Sequence, residues 1–181
     1  NFEIKLPENR HFSHEELREM ISDYDVLIPV FRFEISRDLI ENGKNLKIIA
    51  NFGVGYNNID VEAATEQNIM VTNTPGVLTE TTADMSFALL MSAARRTPEA
   101  DRYSRADKYK GWELVQPHMG VDVYGKTLGI CGLGRIGEVV ARRGKKGFEM
   151  EIVYNDIERN KEAEAELDAE FMDFERLLEV S

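Results

Sequence analysis

Along the chain, apolar positions alternate between the period of a strand and the period of a helix. Phe2, Ile4 and Leu6 recur every second residue, as in a half-buried strand, and Ser13 and Glu16 form a capping box ahead of Leu17, Met20 and Ile21. Val26 to Val30 and Leu46 to Ala50 are short apolar runs of buried-strand type, with a short helix predicted between them over Ser36 to Ile40. A polar, glycine-bearing loop runs from Asn51 to Asp60. Asp60 then reads as the N-cap of a helix through Ala63 and Ala64, followed by a strand at Met70 to Thr72 and a break at Thr74-Pro75-Gly76. From Thr79 to about Arg105 the spacing predicts one long helix, fit to bridge two domains.

Residues 109 to 125 lack a period and carry Gly111, Pro117 and Gly125, so they read as a connection over the surface. A second alternation follows: a strand at Thr127 to Cys131, a helix from Arg135 to about Lys146, and a strand at Glu151 to Asn155. A charged helix comes next, then a brief extended stretch at Glu170 to Met172 and a last helix carrying Leu177 and Leu178. No third strand is expected after the second. Strand and helix in alternation give an α/β class with doubly wound parallel sheets, and the boundary is expected near 105, with one domain over 1–105 and another over 106–181.

The chain has 181 residues, enough for two small or partial domains, since one domain takes about 100 to 150. Its net charge of −11 repels phosphate backbones and anionic lipid, which argues against nucleic acid and membrane surfaces as partners. The acidic run Asn160 to Glu166 reads as a solvated helix face. One cysteine, Cys131, cannot close an internal disulfide, and no apolar stretch approaches the roughly 18 residues that span a bilayer, so a cytoplasmic location is expected. Cys131 reads as inert packing inside its strand. His11, His14 and His118 read as surface residues. With one cysteine and scattered histidines, no metal site is expected.

The motif that carries chemistry is Gly132-Leu133-Gly134-Arg135-Ile136-Gly137. It lies between a predicted strand and a predicted helix, and Asp156 follows the next strand, 24 residues beyond Gly132, near where a dinucleotide fingerprint needs an acid for the ribose. Gly132 permits the tight turn, Gly134 lets backbone approach a pyrophosphate, and Gly137 lets helix and strand pack. The helix N-terminus adds free N–H groups and a positive dipole end. Asp156 favours NAD, because a 2′-phosphate would meet like charge. Arg159 is near enough to meet such a phosphate, so NADP stays open.

With these residues the chain resembles the D-isomer-specific 2-hydroxyacid dehydrogenases. Besides the glycine turn, the resemblance rests on Asn51 to Asp60, Asn73 to Asp84, Gly111-Trp112 and Tyr124 to Ile130, in that order. It implies a partial flavodoxin-like substrate domain, opening at its second strand, and the first half of a Rossmann domain. It also implies hydride transfer between a nicotinamide and a small D-2-hydroxy or 2-oxo acid. The Val54 and Gly55 amides would hold the substrate carboxylate, Thr82 would sit near the nicotinamide, and Arg135 and Ile136 would cover the pyrophosphate, with a homodimer formed through the cofactor domain. The family's catalytic histidine, glutamate and arginine would lie beyond residue 181, so no catalytic residue is expected within the chain. Without its acid, such an enzyme would lose about 100- to 10,000-fold in rate. A dinucleotide-sensing co-repressor, or a formate or phosphite dehydrogenase on the same scaffold, remains an alternative.

Overall fold

A computed structural model describes residues 3–8, 11–30 and 33–181. The chain divides into two compact units, Asn1–Gly76 and Val77–Ser181.

In the first unit, α1 (His14–Met20) starts at the capping box read from the sequence. The Ser13 hydroxyl accepts from the Glu16 amide at 3.1 Å, and the Glu16 carboxylate accepts from the Ser13 amide at 2.8 Å. β1 (Val26–Leu27), β2 (Ile48–Ala50) and β3 (Met70–Thr72) form a parallel sheet in that order. α2 (Arg37–Asn42) and α3 (Val61–Glu66) complete the crossovers, and Asp60 caps α3 by accepting from the Ala63 amide at 2.8 Å. Ile21, Ile35, Ile40, Ile49, Ala63 and Ala64 are the centre of the core. The alternation at the N-terminus does not become a strand. Phe2 lies outside the described residues, while Ile4 and Leu6 are 75% and 72% exposed, with no strand paired to residues 3–8 among the described residues. Without a neighbouring ladder, an alternating segment has nothing to bury its apolar face against.

In the second unit, β4 (Thr127–Cys131), β5 (Glu151–Asn155) and β6 (Ala169–Phe171) form another parallel sheet in sequence order. The extended stretch after residue 167 is thus a third strand, contrary to expectation. Three residues are too few to display a period, yet they complete a ladder, pairing Ala169 with Ile152 and Phe171 with Tyr154. α6 (Arg135–Phe148) covers one face, α7 (Lys161–Leu167) links β5 to β6, and α8 (Phe174–Val180) follows. Tyr154, Leu133, Ile152 and Ala141 are buried at the centre.

The long helix expected over 79–105 is two: α4 (Thr79–Ala94) and α5 (Thr97–Arg105). The break falls where Arg96 takes a left-handed backbone, φ 52°, and Pro98 enters the first turn of α5. Proline has no N–H to give Ala94 and its ring would clash with that carbonyl, so one continuous helix cannot pass. α4 packs against α6, with the Phe87 and Phe148 ring centres 4.9 Å apart and Arg143 reaching Glu80 and Asp84 at 2.9 and 2.6 Å. These contacts are why the compact units divide at Gly76 and Val77, earlier than the boundary near 105 read from the sequence.

Candidate functional site

In the second unit, the glycine turn leaves the C-terminal end of β4 and enters α6, the edge of a parallel sheet where ligands bind in open α/β folds. Gly132 has φ +93°, a backbone favoured by glycine, and its amide donates to the Asn155 carbonyl at 2.7 Å, tying the turn to the end of β5. A Cβ on Gly137 would collide with the Gly132 carbonyl and lie 3.4 Å from Ile130, so glycine there lets helix and strand close up.

Gly134 is different. Its φ of −83° suits any residue, and a Cβ built there meets nothing within 4 Å. The fold itself does not require a glycine at this position. The space it keeps open lies over the N-terminus of a 14-residue helix, where the Gly134, Arg135 and Ile136 amides donate to no protein acceptor among the described residues. Arg135, the first residue of α6, is exposed beside them. A pyrophosphate fits this cradle.

Asp156, just past β5, is half-buried, and its carboxylate accepts from the Leu133 amide at 2.8 Å and the Ile157 amide at 2.7 Å. The acid read as a ribose ligand therefore also fastens the glycine turn. It lines an open hollow of about 600 Å³ together with Leu133, Ile157, Glu158, Arg159 and Asn160.

Around this hollow is a network that the sequence did not reveal. Asn160 caps α7 by accepting from the Ala163 amide at 3.0 Å, while its side-chain amide donates to the Leu133 carbonyl at 3.1 Å. The buried Tyr154 hydroxyl donates to Glu164 at 2.6 Å, and the Arg159 guanidinium donates to the same carboxylate through Nε at 3.0 Å and a terminal nitrogen at 2.7 Å. These bonds hold the Glu164 carboxyl down at about 2, Arg159 contributing most and Tyr154 next. Burial, then the bond to Glu164, raises the Tyr154 phenol. The solvated-face reading holds for Lys161, Glu162, Ala165 and Glu166, which are exposed, but not for Glu164, whose side chain is 17% exposed. A Tyr ten residues earlier supplies its partner, a contact that periodicity along one helix does not encode. Cys131 is also a correction: it is exposed, because Leu128 and Ile130 take the buried face of β4 and Cys131, one residue on, falls on the other.

Thr82 lies half-buried on α4, its carbonyl accepting from the Ser86 hydroxyl at 2.9 Å, and no hydrogen bond joins it to the glycine turn among the described residues. His11 and His14 are exposed, His14 stacking on Phe33 at 4.4 Å, and His118 is half-buried against Tyr103 at 5.4 Å. The described residues contain no cluster of metal-ligating side chains and no helix long and apolar enough to cross a membrane.

In the first unit, the loop after β2 holds Val54 and Gly55. Asn51 is 3% exposed, and its side-chain amide donates to the Gly55 carbonyl at 2.8 Å; Asn73 donates to the Val54 carbonyl at 2.8 Å, and the Thr74 amide to the Gly53 carbonyl at 2.9 Å. Three successive carbonyls are thereby fixed. Among the described residues the Val54 and Gly55 amides donate to no protein acceptor, which leaves adjacent N–H groups for an anion. The sequence pointed to Val54 and Gly55 but not to the asparagines that orient them.

A family profile described as the catalytic domain of D-isomer specific 2-hydroxyacid dehydrogenases matches residues 2–174. A glyoxylate reductase of Korarchaeum cryptofilum is 51% identical over 170 residues, covering 93% of this chain and 51% of its own length. Among solved structures, a Thermus thermophilus protein superposes with a TM-score of 0.87 at 38% identity, over 96% of this chain and 53% of its own. A glyoxylate reductase from Paecilomyes thermophila does so at 0.76 and 34%, over 92% and 52%. The chain spans about half the length of the curated relatives it matches. On the length of the matched segment and the level of identity, this chain belongs to the D-isomer-specific 2-hydroxyacid dehydrogenase family.

Proposed function

We propose that this chain supplies the dinucleotide half-site and the carboxylate loop of an oxidoreductase that moves hydride between a nicotinamide and a small D-2-hydroxy or 2-oxo acid, with NAD preferred over NADP. The observation that carries this is Gly134, a glycine the fold does not need, keeping the face of a helix N-terminus open to a diphosphate. In this reading the second unit is the first half of a Rossmann domain and the first unit is part of the substrate domain. The bound nicotinamide supplies the hydride acceptor or donor. The chain's own groups position it: the Gly134, Arg135 and Ile136 amides and the Arg135 side chain receive the pyrophosphate, Gly132 and Gly137 hold the turn in shape, and Asp156 takes the ribose hydroxyls. Thr82 stands toward the nicotinamide side. The Val54 and Gly55 amides grip the substrate carboxylate, with glyoxylate the first acid to try given the names of the similar reductases.

Homodimer formation is part of the proposal, supported by a run of exposed apolar side chains in the second unit, Trp112, Leu114, Val115, Met119 and Val121. A cytoplasmic location is supported by a single unpaired cysteine. The test is a spectrophotometric assay of the full-length protein with NADH and NADPH against glyoxylate, hydroxypyruvate, pyruvate and longer 2-oxo acids. Oxidation of NADH by at least one short 2-oxo acid is expected. Dinucleotide binding with no turnover of any acid would favour a sensing role instead.

A further inference from the structure

The hollow beside Asp156 is lined by an arginine, a side chain suited to pairing with phosphate, yet that arginine is already engaged. Glu164 takes both Nε and a terminal nitrogen of Arg159, and the guanidinium carbon lies 5.6 Å from the centre of the Phe171 ring. Phe171 is itself braced edge-on by the buried Tyr154 at 5.3 Å, and Tyr154 donates to Glu164. Carboxylate and ring thus hold the cation on one side, from α7 and β6, and its side chain is otherwise 55% exposed. With Arg159 neutralised, the ionisable groups lining the hollow are Asp156, Glu158 and Glu162 against Lys161, an excess of negative charge.

We infer that Glu164 is a second determinant of cofactor choice: by holding Arg159 against Phe171, it withholds the one guanidinium in the hollow from the 2′-phosphate of NADP. Glu164 acts through Arg159 and is a positioning residue. The inference rests on the dinucleotide reading of the site. A free guanidinium pairs with a phosphate through two parallel bonds, whereas one already committed in that manner has to break them first. The bonds from Arg159 and Tyr154 hold the Glu164 carboxyl down at about 2, so it is ionised at neutral pH. Asp156 repels the 2′-phosphate directly, and Glu164 removes the group that would offset that repulsion.

The experiment titrates NADH and NADPH into the full-length protein by nucleotide fluorescence. Releasing Arg159 with Glu164→Ala, which leaves the Tyr154 hydroxyl accepting from the Asn160 amide at 2.9 Å, is expected to tighten NADPH about tenfold relative to NADH. Adding Arg159→Ala is expected to cancel that gain, while Arg159→Ala alone moves the ratio less than about twofold. Glu164→Gln, which keeps an acceptor for Tyr154, provides a milder release and is expected to shift the ratio in the same direction by about threefold. The inference is overturned by an unchanged ratio in the release variants, by a gain that survives Arg159→Ala, or by a large loss of NADPH affinity in Arg159→Ala alone. Should the parent protein bind neither dinucleotide, the site reading itself fails; binding with an unmoved ratio refutes this inference only.

Discussion

Replacing Gly134 by alanine separates what the fold needs from what a ligand needs. The backbone at Gly134 has φ −83°, open to alanine, and the added methyl would meet no protein atom within 4 Å. Such a change restricts the unfolded chain and is expected to leave stability unchanged or raise it by about 0.4 to 1 kcal/mol. The whole penalty falls on a dinucleotide. The methyl projects into the space over the free amides of Gly134, Arg135 and Ile136, and pushing a diphosphate off even one charge-assisted bond loses about 1.5 to 3 kcal/mol, so the Kd for NADH is expected to rise about 10- to 100-fold. Gly137→Ala is the contrast. There the methyl runs into the Gly132 carbonyl and comes within 3.4 Å of Ile130, so α6 must lift from β4, at about 1 to 3 kcal/mol of stability. Thermal melts and NADH titrations of both variants decide the matter. If Gly134→Ala binds NADH as the parent does, or melts as low as Gly137→Ala, the reasoning about an open cradle is wrong.

Asp156→Asn should weaken NADH about tenfold and narrow the margin between NADH and NADPH, because the charge that rejects a 2′-phosphate is gone; an unchanged ratio on titration would remove Asp156 from cofactor choice. Asn51→Ala leaves the Gly55 carbonyl without its donor and should lower stability by about 1 to 3 kcal/mol and raise KM for the 2-oxo acid about tenfold, with KM for NADH within about twofold. Equal rises in both constants would argue against a carboxylate loop. Glu164 has its folded pKa depressed from 4.5 to about 2, so its contribution to stability is complete above 4.5 and is lost as pH falls from there toward 2. Melts across that range should show Glu164→Gln below the parent at neutral pH and converging with it in acid; a gap that stays constant would contradict the assigned ion pair.

Most elements were legible because their signals are local. Ser13 with Glu16 and Asp60 with Ala63 cap their helices through bonds spanning three residues, and the fingerprint from Gly132 to Asp156 is written in spacing alone. What escaped the sequence depends on partners distant in the chain or on a single backbone stop. Pro98 and the left-handed Arg96 cut a helix whose apolar spacing runs on unbroken. Ile4 and Leu6 alternate as a strand does, but alternation says nothing about whether a neighbour is there. Cys131 belongs to a strand whose burial alternates, with Leu128 and Ile130 buried, and a short apolar run does not declare which residues take the inner face. Glu164 stands among solvated acids and is distinguished only by Tyr154 and Arg159, which reach it from β5 and the loop beyond.

The turn and the ribose acid form one device rather than two. A carboxylate offers about four lone-pair sites, and Asp156 commits one oxygen to the Leu133 amide and the other to the Ile157 amide. About two sites remain, enough for the vicinal hydroxyls of a ribose without releasing either amide. Binding then requires no rearrangement of the glycine turn, and the ordering of Leu133 is complete before a ligand arrives, which lowers the entropy lost on association. On the proposed reading, the same sharing makes Asp156 a poor place to change cofactor preference by itself: removing its charge would admit a 2′-phosphate while loosening the turn it ties down. On the inferred role of Glu164, a change there would leave both Asp156 bonds in place, so preference could shift without disturbing the turn.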